Sequence, residues 1–224
     1  MFKTGRGYAL SGVLCAMCLV AGLAAAAETK SECMATVAPF EKGPAVDGTL
    51  APNEWDGALH VPAVMNYRGN MIVPYRCEVY FGFDRKNLYF AIVSELPPDK
   101  KVLAKQTMRD SQKMIWDDGI EIYIDPNRRN RAEGKGDRRF YLYHGNSVGA
   151  FLDIVYDIDG APDAGWNGKW TVGNGIHEEA GVWVQELSLP LADVGLTGDD
   201  AIGREMGILV ARNIKRGAGW LQCP

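Results

Sequence analysis

The sequence predicts an all-β fold: an antiparallel β-sandwich, jelly-roll-like and of immunoglobulin-like size, with short helical turns. After residue 70, short segments alternate apolar with polar residues, which is the period of a strand with one buried face. Turn-forming Gly, Pro, Asn and Asp separate these segments at near-regular intervals. Almost no amphipathic helical pattern lies between them, and many short strands without helices favour two packed antiparallel sheets.

The individual strands are predicted from these segments in chain order. "RCEVYFGFD" and "NLYFAIVSE" are joined by the turn residues 84–87 and predict a hairpin. "GIEIYID" follows, with its three isoleucines on one face. The remaining predicted strands are "RFYLYH", "VGAFLDIVYD", "WTVGNGI", "GVWVQELSLP" and "GREMGILVARN". Short helical turns are predicted at residues 51–58, after Thr49 as a cap, and at residues 191–194, after Pro190.

Residues 1–27 are predicted to be a secretory signal peptide. Lys3 and Arg6 give a positive start, residues 10–23 are apolar, and three alanines at 25–27 offer a cleavage site. The apolar run is short for a membrane-spanning helix, and no second run of this kind follows. We therefore expect a secreted or periplasmic protein.

Residues 28–224 are predicted to form one β-sandwich domain. Cleavage would leave 197 of the 224 residues, which is too few for a second full domain. Without Lys3 and Arg6, 22 basic residues face 28 acidic ones, and no long basic run occurs. This excess of acid argues against nucleic acid or an anionic membrane as the main partner.

Three cysteines, Cys33, Cys77 and Cys223, remain after cleavage. In an oxidising compartment, one disulfide and one leftover thiol is the simplest arrangement, and the sequence leaves the pairing open. No Cys-x-x-Cys motif remains, which disfavours a thiolate zinc site or a redox motif.

Residues 115–126, "IWDDGIEIYIDP", contain four carboxylates, which raises the question of catalysis. Glycosidases place two carboxyl groups about 5–10 Å apart. On a strand, Glu121 and Asp125 would share a face but would stand roughly 13 Å apart. No nucleophile motif such as G-x-S-x-G occurs, and the three histidines lie in no motif. We therefore expect no enzymatic activity and assign no catalytic residue.

The acidic side chains also suit a structural calcium, which prefers hard oxygen ligands. The candidate ligands are Asp117, Asp118, Asp157, Asp159 and Asp163. The alternative is that these residues cap turns at the ends of strands. Both interpretations stay open, so no cofactor is assigned and calcium remains a candidate.

Six tryptophans occur in the chain, and three of them lie in loop-like segments rich in Gly or Asp. These three are Trp116, Trp166 and Trp220. Core packing explains a large aromatic side chain less easily in such segments. An exposed ring can cover the apolar face of a sugar while carboxylates and amides bind its hydroxyls. Trp55 is expected to cap the sandwich, and Trp183 fits either the core or the outer face.

Five stretches, taken together and in order, resemble carbohydrate-binding module family 9 and the wider family-9-like domains, which are related to DOMON domains. They are "AVDGTLAPNEWDGA" (45–58), "YFGFDRKNLYFAIVSE" (80–95), "IWDDGIEIYIDP" (115–126), "GVWVQELSLPLADVG" (181–195) and "GREMGILVARN" (203–213). The family fold is a β-sandwich, in agreement with the strand pattern. The family's terminal Phe-Gly strand does not follow Trp220, so we expect a C-terminal truncation or a fragment.

The resemblance implies sugar binding, often at chain ends, between two tryptophan rings. Trp116 matches the first ring, Trp220 the second, and Glu121 the acid that binds sugar hydroxyls, while Asp118 is expected to brace the loop. Where the sugar-binding members carry an Arg and an Asn on the next strand, the matching positions are Tyr141 and Tyr143.

The expected function is therefore secreted, non-catalytic binding of a polysaccharide or oligosaccharide, as an accessory to carbohydrate degradation and as part of a larger secreted protein. One alternative is a haem-binding, DOMON-like electron-transfer domain, for which Met65, Met71, Met206 and His144 are candidate axial ligands. Another is a structural or docking module whose sugar site has decayed.

Overall fold

The computed structural model describes residues 34–65, 72–128, 134, 137–158 and 160–215. The strands of this part of the chain are β1 (Leu59–Met65), β2 (Ile72–Phe83), β3 (Asn87–Glu95), β4 (Gly119–Asp125), β5 (Arg139–Asn146), β6 (Phe151–Asp157), β7 (Thr171–His177), β8 (Val182–Pro190) and β9 (Gly207–Asn213). They form two antiparallel sheets, and in the first the strands lie in the order β1-β2-β3-β8-β7. The second sheet has the order β6-β5-β4-β9. The predicted antiparallel β-sandwich is confirmed.

The core lies between the two sheets and follows from the period of the strands. Ile120, Ile122 and Ile124 of β4 are fully buried and share one cluster with Phe90 of β3 and Leu187 of β8. Because side chains alternate along a strand, the residues between the isoleucines face outward from the second sheet. The predicted orientation of this strand is confirmed. Trp183, whose orientation the sequence left open, is 1% exposed and belongs to this core.

The two predicted helical turns have different outcomes. Leu191–Val194 is a 3-10 helix, as predicted. Residues 51–58 form consecutive turns rather than a helix, so that prediction is wrong. Asn53 and Gly57 have φ angles of 64° and 85°, in the left-handed region that a right-handed helix excludes. Two further short helices lie wholly within the described residues, at Gln112–Trp116 and Gly198–Ala201.

The segment before β1 covers the outer face of the first sheet. Phe40 and Trp55 pack there with Tyr80 and Tyr89. Trp55 is only 7% exposed, so it closes this face, and the prediction that it caps the sandwich is confirmed.

A fully buried carboxylate, that of Glu186 in β8, holds the segment in place. Glu186 accepts hydrogen bonds from Trp55 Nε1 at 2.9 Å, Gly48 N at 2.9 Å and Asp47 N at 3.1 Å. Burial raises the pKa of Glu186, and these three donors oppose that rise. The side chain of Glu186 therefore joins residues 45–58 and 181–195, two of the stretches on which the family resemblance rests.

Several predictions concern residues outside the described ranges. The signal peptide at 1–27 and the cysteines Cys33 and Cys223 lie there, so export and the disulfide pairing stay predictions. Cys77 is buried in the core on β2. No helix among the described residues has the length and apolar character needed to cross a membrane.

We predict that Glu186→Ala lowers the free energy of unfolding by about 3 kcal/mol, because three buried donors lose a charged acceptor. Urea unfolding followed by circular dichroism measures this loss. Glu179→Gln, at an exposed turn position, is the control and is expected to change stability little. A loss below about 0.5 kcal/mol for Glu186→Ala would contradict the structural role of this carboxylate.

Candidate functional site

Trp116 stands at the end of the 3-10 helix Gln112–Trp116, which packs on the outer face of the second sheet. Met114 of this helix is fully buried against Ala150 and Leu152. Because Met114 occupies the inward position, Trp116 two residues later turns away, and its side chain is 64% exposed. The structure therefore presents a large aromatic ring to solvent at the predicted position.

The residue after Trp116 fixes the neighbouring loop. Asp117 is fully buried, and its Oδ2 accepts hydrogen bonds from Lys105 N at 3.0 Å and Gln106 N at 2.8 Å. The same oxygen accepts a third bond, from Asn146 Nδ2 at 2.9 Å. Asp117 thus joins the loop before the helix to the end of β5, and it holds the base of Trp116 rigidly.

Asp118 likewise joins two parts of the chain, the loop at Leu103 and the C-terminal segment at Lys215. It is 2% exposed, its Oδ2 accepts from Leu103 N at 2.8 Å, and its Oδ1 accepts from Lys215 N at 2.6 Å. The bracing role expected for Asp118 is therefore confirmed. Lys215 is the last described residue before the segment that contains Trp220.

Glu121 lies on the outer face of β4, on the same side of the sheet as the helix that carries Trp116. It is 9% exposed. Its Oε1 accepts a hydrogen bond from Asn213 Nδ2 at 2.5 Å, and its Oε2 accepts one from Tyr123 Oη at 2.9 Å. His144 Nδ1 lies 3.7 Å from Oε1. Glu121 is therefore the centre of a polar cluster that spans three strands, β9, β4 and β5.

Burial dominates the electrostatics of this cluster. It lowers the pKa of His144, which is 2% exposed, and the neighbouring Glu121 carboxylate only partly opposes that effect. Burial likewise lowers the pKa of the Lys215 ammonium, while Glu121 and Asp118 oppose the shift. His144 Nε2 has no hydrogen-bond partner. The neutral imidazole is therefore the form that the fold favours.

Tyr141 and Tyr143 do not lie at the site, so their assignment to sugar binding is corrected. In the pairing of β4 with β5, Tyr143 stands opposite Ile122 and Tyr141 opposite Ile124. Both rings therefore point into the core, where Tyr141 is 3% exposed and Tyr143 is not exposed at all. Neither ring is available to a ligand, because the two sheets close over them.

On β5, the residue that shares a face with Glu121 lies one position after the predicted Tyr143. His144 stands directly opposite Glu121 on β5, and Asn213 of β9 donates to it. The sequence signal that could have found them is the strand period itself. Once the isoleucines of β4 are placed inside, the outward residues of the two neighbouring strands follow from the alternation.

The other tryptophans have mixed positions. Trp166 is half-buried and packs against Tyr141, with ring centroids 5.0 Å apart, so it is largely a core residue. Trp170 is 9% exposed, and its ring centroid lies 4.9 Å from that of Tyr143. Trp220 lies outside the described residues, so its place as a second ring stays a prediction.

The described residues contain no group of three or more His, Cys, Asp and Glu side chains that could hold a metal ion. Asp117 and Asp118 bind backbone and amide N–H groups, and Asp163 Oδ1 accepts from Gly165 N at 2.9 Å. These three carboxylates thus cap turns and loops. Of the other two candidates, Asp159 lies outside the described ranges and Asp157 is exposed at the end of β6.

Two of the candidate haem ligands have described side chains. His144 is buried beside Glu121, and Met206 packs against the core. Nothing is described for the side chains of Met65 and Met71. No observation on the described residues favours this alternative.

Two clefts, of about 370 Å³ and 330 Å³, lie away from the polar cluster. The first is lined by Asn127, residues 199–200 and residues 202–205, and the second by residues 38–42, 53–54 and 56–57. Neither includes Trp116 or Glu121.

Comparison with known proteins agrees with this architecture. No family model and no curated protein matches the chain. Among solved structures, a candidate carbohydrate-binding protein from Bacteroides uniformis is 12% identical, with a TM-score of 0.56, over 83% of this chain and 84% of that one. A family 9 carbohydrate-binding module from Caldicellulosiruptor kristjanssonii, in complex with glucose, is 13% identical, with a TM-score of 0.53, over 83% and 80%.

A family 9 carbohydrate-binding module from the same organism, in complex with cellotriose, has a TM-score of 0.50 at 13% identity, over 81% of this chain and 85% of that one. At these identities the likeness concerns the fold. The chain has the fold of family 9 carbohydrate-binding modules, and the resemblance inferred from the five sequence stretches is confirmed at that level.

We predict that Asp118→Ala lowers the free energy of unfolding by about 3 kcal/mol, because Leu103 N and Lys215 N lose a buried charged acceptor. Urea unfolding gives the value. The control is Asp56→Ala, which removes an exposed carboxylate from a turn. Equal stability of the two variants would show that Asp118 does not brace the site.

We also predict a pH dependence from His144. Its folded-state pKa lies below the ordinary 6.5, so its contribution to stability is complete above about pH 6.5 and declines as the pH falls through the folded-state pKa. The variant His144→Gln lacks this decline. The stability difference between the two proteins should therefore shrink between about pH 7.5 and 5.

The matching control is His60→Gln, since the His60 side chain is 45% exposed. Chemical unfolding at a series of pH values measures all three proteins. A wild-type advantage over His144→Gln that stays constant or grows as the pH falls would contradict the buried, neutral imidazole.

Proposed function

We propose that the protein is an exported, non-catalytic carbohydrate-binding domain that binds a polysaccharide or oligosaccharide at the face formed by Trp116 and Glu121. The observation that carries this proposal is the 64% exposure of Trp116 on a base of two buried aspartates. Tryptophan is enriched at binding surfaces, because its ring combines a large apolar area with one polar N–H group. The family 9 modules with the same fold, in complex with glucose and cellotriose, support this choice of ligand.

The ring of Trp116 would supply most of the affinity. A sugar that covers half of the ring removes about 100 Å² from water, which is worth ~2.5 kcal/mol. A second ring would double this to ~5 kcal/mol before hydrogen bonds and the cost of association, which gives sub-millimolar binding at best. We propose Trp220 as that second ring, because its segment starts at Lys215, which Asp118 ties to the base of Trp116.

Glu121 would bind sugar hydroxyls. An ionised carboxylate has about four lone-pair sites, and Asn213 and Tyr123 occupy two of them. Glu121 therefore keeps acceptor capacity while its position is fixed by two partners. A ligand seated between two rings beside one carboxylate fits a chain end, which is the binding mode that we propose.

The absence of catalysis is part of this proposal. Glu121 and Asp125 lie on the same face of β4, four residues and thus roughly 13 Å apart, which exceeds the separation used in glycoside hydrolysis. We propose that the domain serves as an accessory to carbohydrate degradation within a larger secreted protein, after removal of the signal peptide 1–27.

Calorimetry of the exported protein with cello-, xylo- and manno-oligosaccharides tests this function. We predict that Trp116→Ala weakens binding by about seventy-fold, which corresponds to the ~2.5 kcal/mol of one ring. Ile176→Ala, at a residue that is 46% exposed on the other sheet, is the matched control and should bind as the wild type does. Absence of binding to every sugar would contradict the function and favour the docking module.

A further inference from the structure

Three aromatic side chains stand on the outer face of the second sheet without a part in the core. They are Tyr123 of β4, Phe140 of β5 and Tyr156 of β6, and each is partly exposed. None of them belongs to the hydrophobic clusters formed by the described residues. We refer to these three residues as the outer-face aromatic group.

Strand register places all three side chains on one face. Tyr123 lies between Ile122 and Ile124, which point into the core, so it points out. Phe140 likewise precedes the inward-facing Tyr141. Tyr156 is paired with Phe140, and the two rings stack at 4.8 Å with an interplanar angle of 5°.

The group is continuous with the proposed sugar site. Tyr123 Oη donates to Glu121 Oε2 at 2.9 Å, so the first member of the group contacts the central carboxylate directly. Burial, with the negative charge of Glu121 added, raises the pKa of Tyr156. Burial and the charge of Glu121 also raise the pKa of Tyr123, so both hydroxyls are protonated at neutral pH.

The group also has a defined length. Glu121 pairs with His144 on β5, and Phe140 lies four residues from His144 along the same strand. Phe140 is therefore roughly 13 Å from the level of Glu121. This span exceeds a single sugar ring. The 3-10 helix that carries Trp116 packs at the Leu152 end of the same face, so the group extends in the other direction, away from the helix.

We infer that the outer-face aromatic group is a second sugar subsite, and that the ligand is an oligosaccharide of several units that lies along the strands of this face. Sugars suit the group because they combine apolar ring faces with hydroxyls, as the aromatic faces and tyrosine hydroxyls require. This inference rests on the proposed function, since the first units of the ligand would occupy the Trp116 and Glu121 site.

The test compares two-unit and six-unit members of the cello-, xylo- and manno-oligosaccharide series by calorimetry. We expect the wild type to bind the six-unit member of the recognised series about ten-fold more tightly than the two-unit member. Tyr156→Leu, which keeps apolar bulk but removes the ring, and Phe140→Ala should each lose most of this preference and leave two-unit binding unchanged. Ile176→Ala should retain it.

The outcomes separate the two proposals. Equal affinity of the wild type for short and long ligands, or a preference that survives in both ring variants, overturns the second subsite and leaves the first intact. No binding to any sugar overturns both. A concentration-dependent dimer that Phe140→Ala abolishes, measured by light scattering, would assign the face to a second copy of the chain and overturn the subsite.

Discussion

The arrangement of the site depends on two buried carboxylates in succession, those of Asp117 and Asp118. Each is almost fully excluded from water, and each accepts backbone N–H groups from a different part of the chain. Buried ionised carboxylates are tolerated only when such donors satisfy them. The requirement fixes the loop at 103–106 and the start of the C-terminal segment against β4. Trp116, directly before the pair, is thereby exposed on a rigid base.

The two sheets use buried acids for different purposes. On the first sheet, Glu186 accepts from Trp55 and two backbone amides, and the outer face is closed by the chain's own N-terminal segment. On the second sheet, Glu121 accepts from Asn213 and Tyr123, and partly exposed aromatic side chains remain beside it. The chain itself thus closes one outer face, whereas the other carries the proposed sugar site. This asymmetry explains why the two quoted tryptophans, Trp55 and Trp116, have opposite exposures.

Local patterns predicted the strands well and the face of β5 poorly. The isoleucines of β4 alternate cleanly, and their burial follows directly from that period. The family resemblance points to Tyr141 and Tyr143 as ligand contacts, whereas the β4–β5 pairing sets them opposite the buried Ile124 and Ile122 and so places them inside. β1 was not predicted because Pro62 interrupts it, which only an edge strand tolerates. The side-chain partners of Asp117 come from two separate segments, residues 105–106 and Asn146, and such long-range hydrogen bonds have no local sequence signal.

The central claim is that Trp116 contacts a sugar, and the indole N–H signals in a two-dimensional NMR spectrum test it most directly. The signal of Trp116, identified through Trp116→Phe, should move on titration with a recognised oligosaccharide. The signal of Trp183 should stay in place, because that ring is 1% exposed and its Nε1 donates to Asn174. A sugar that binds without moving the Trp116 signal would contradict the account, since the exposed ring would then be no part of the site.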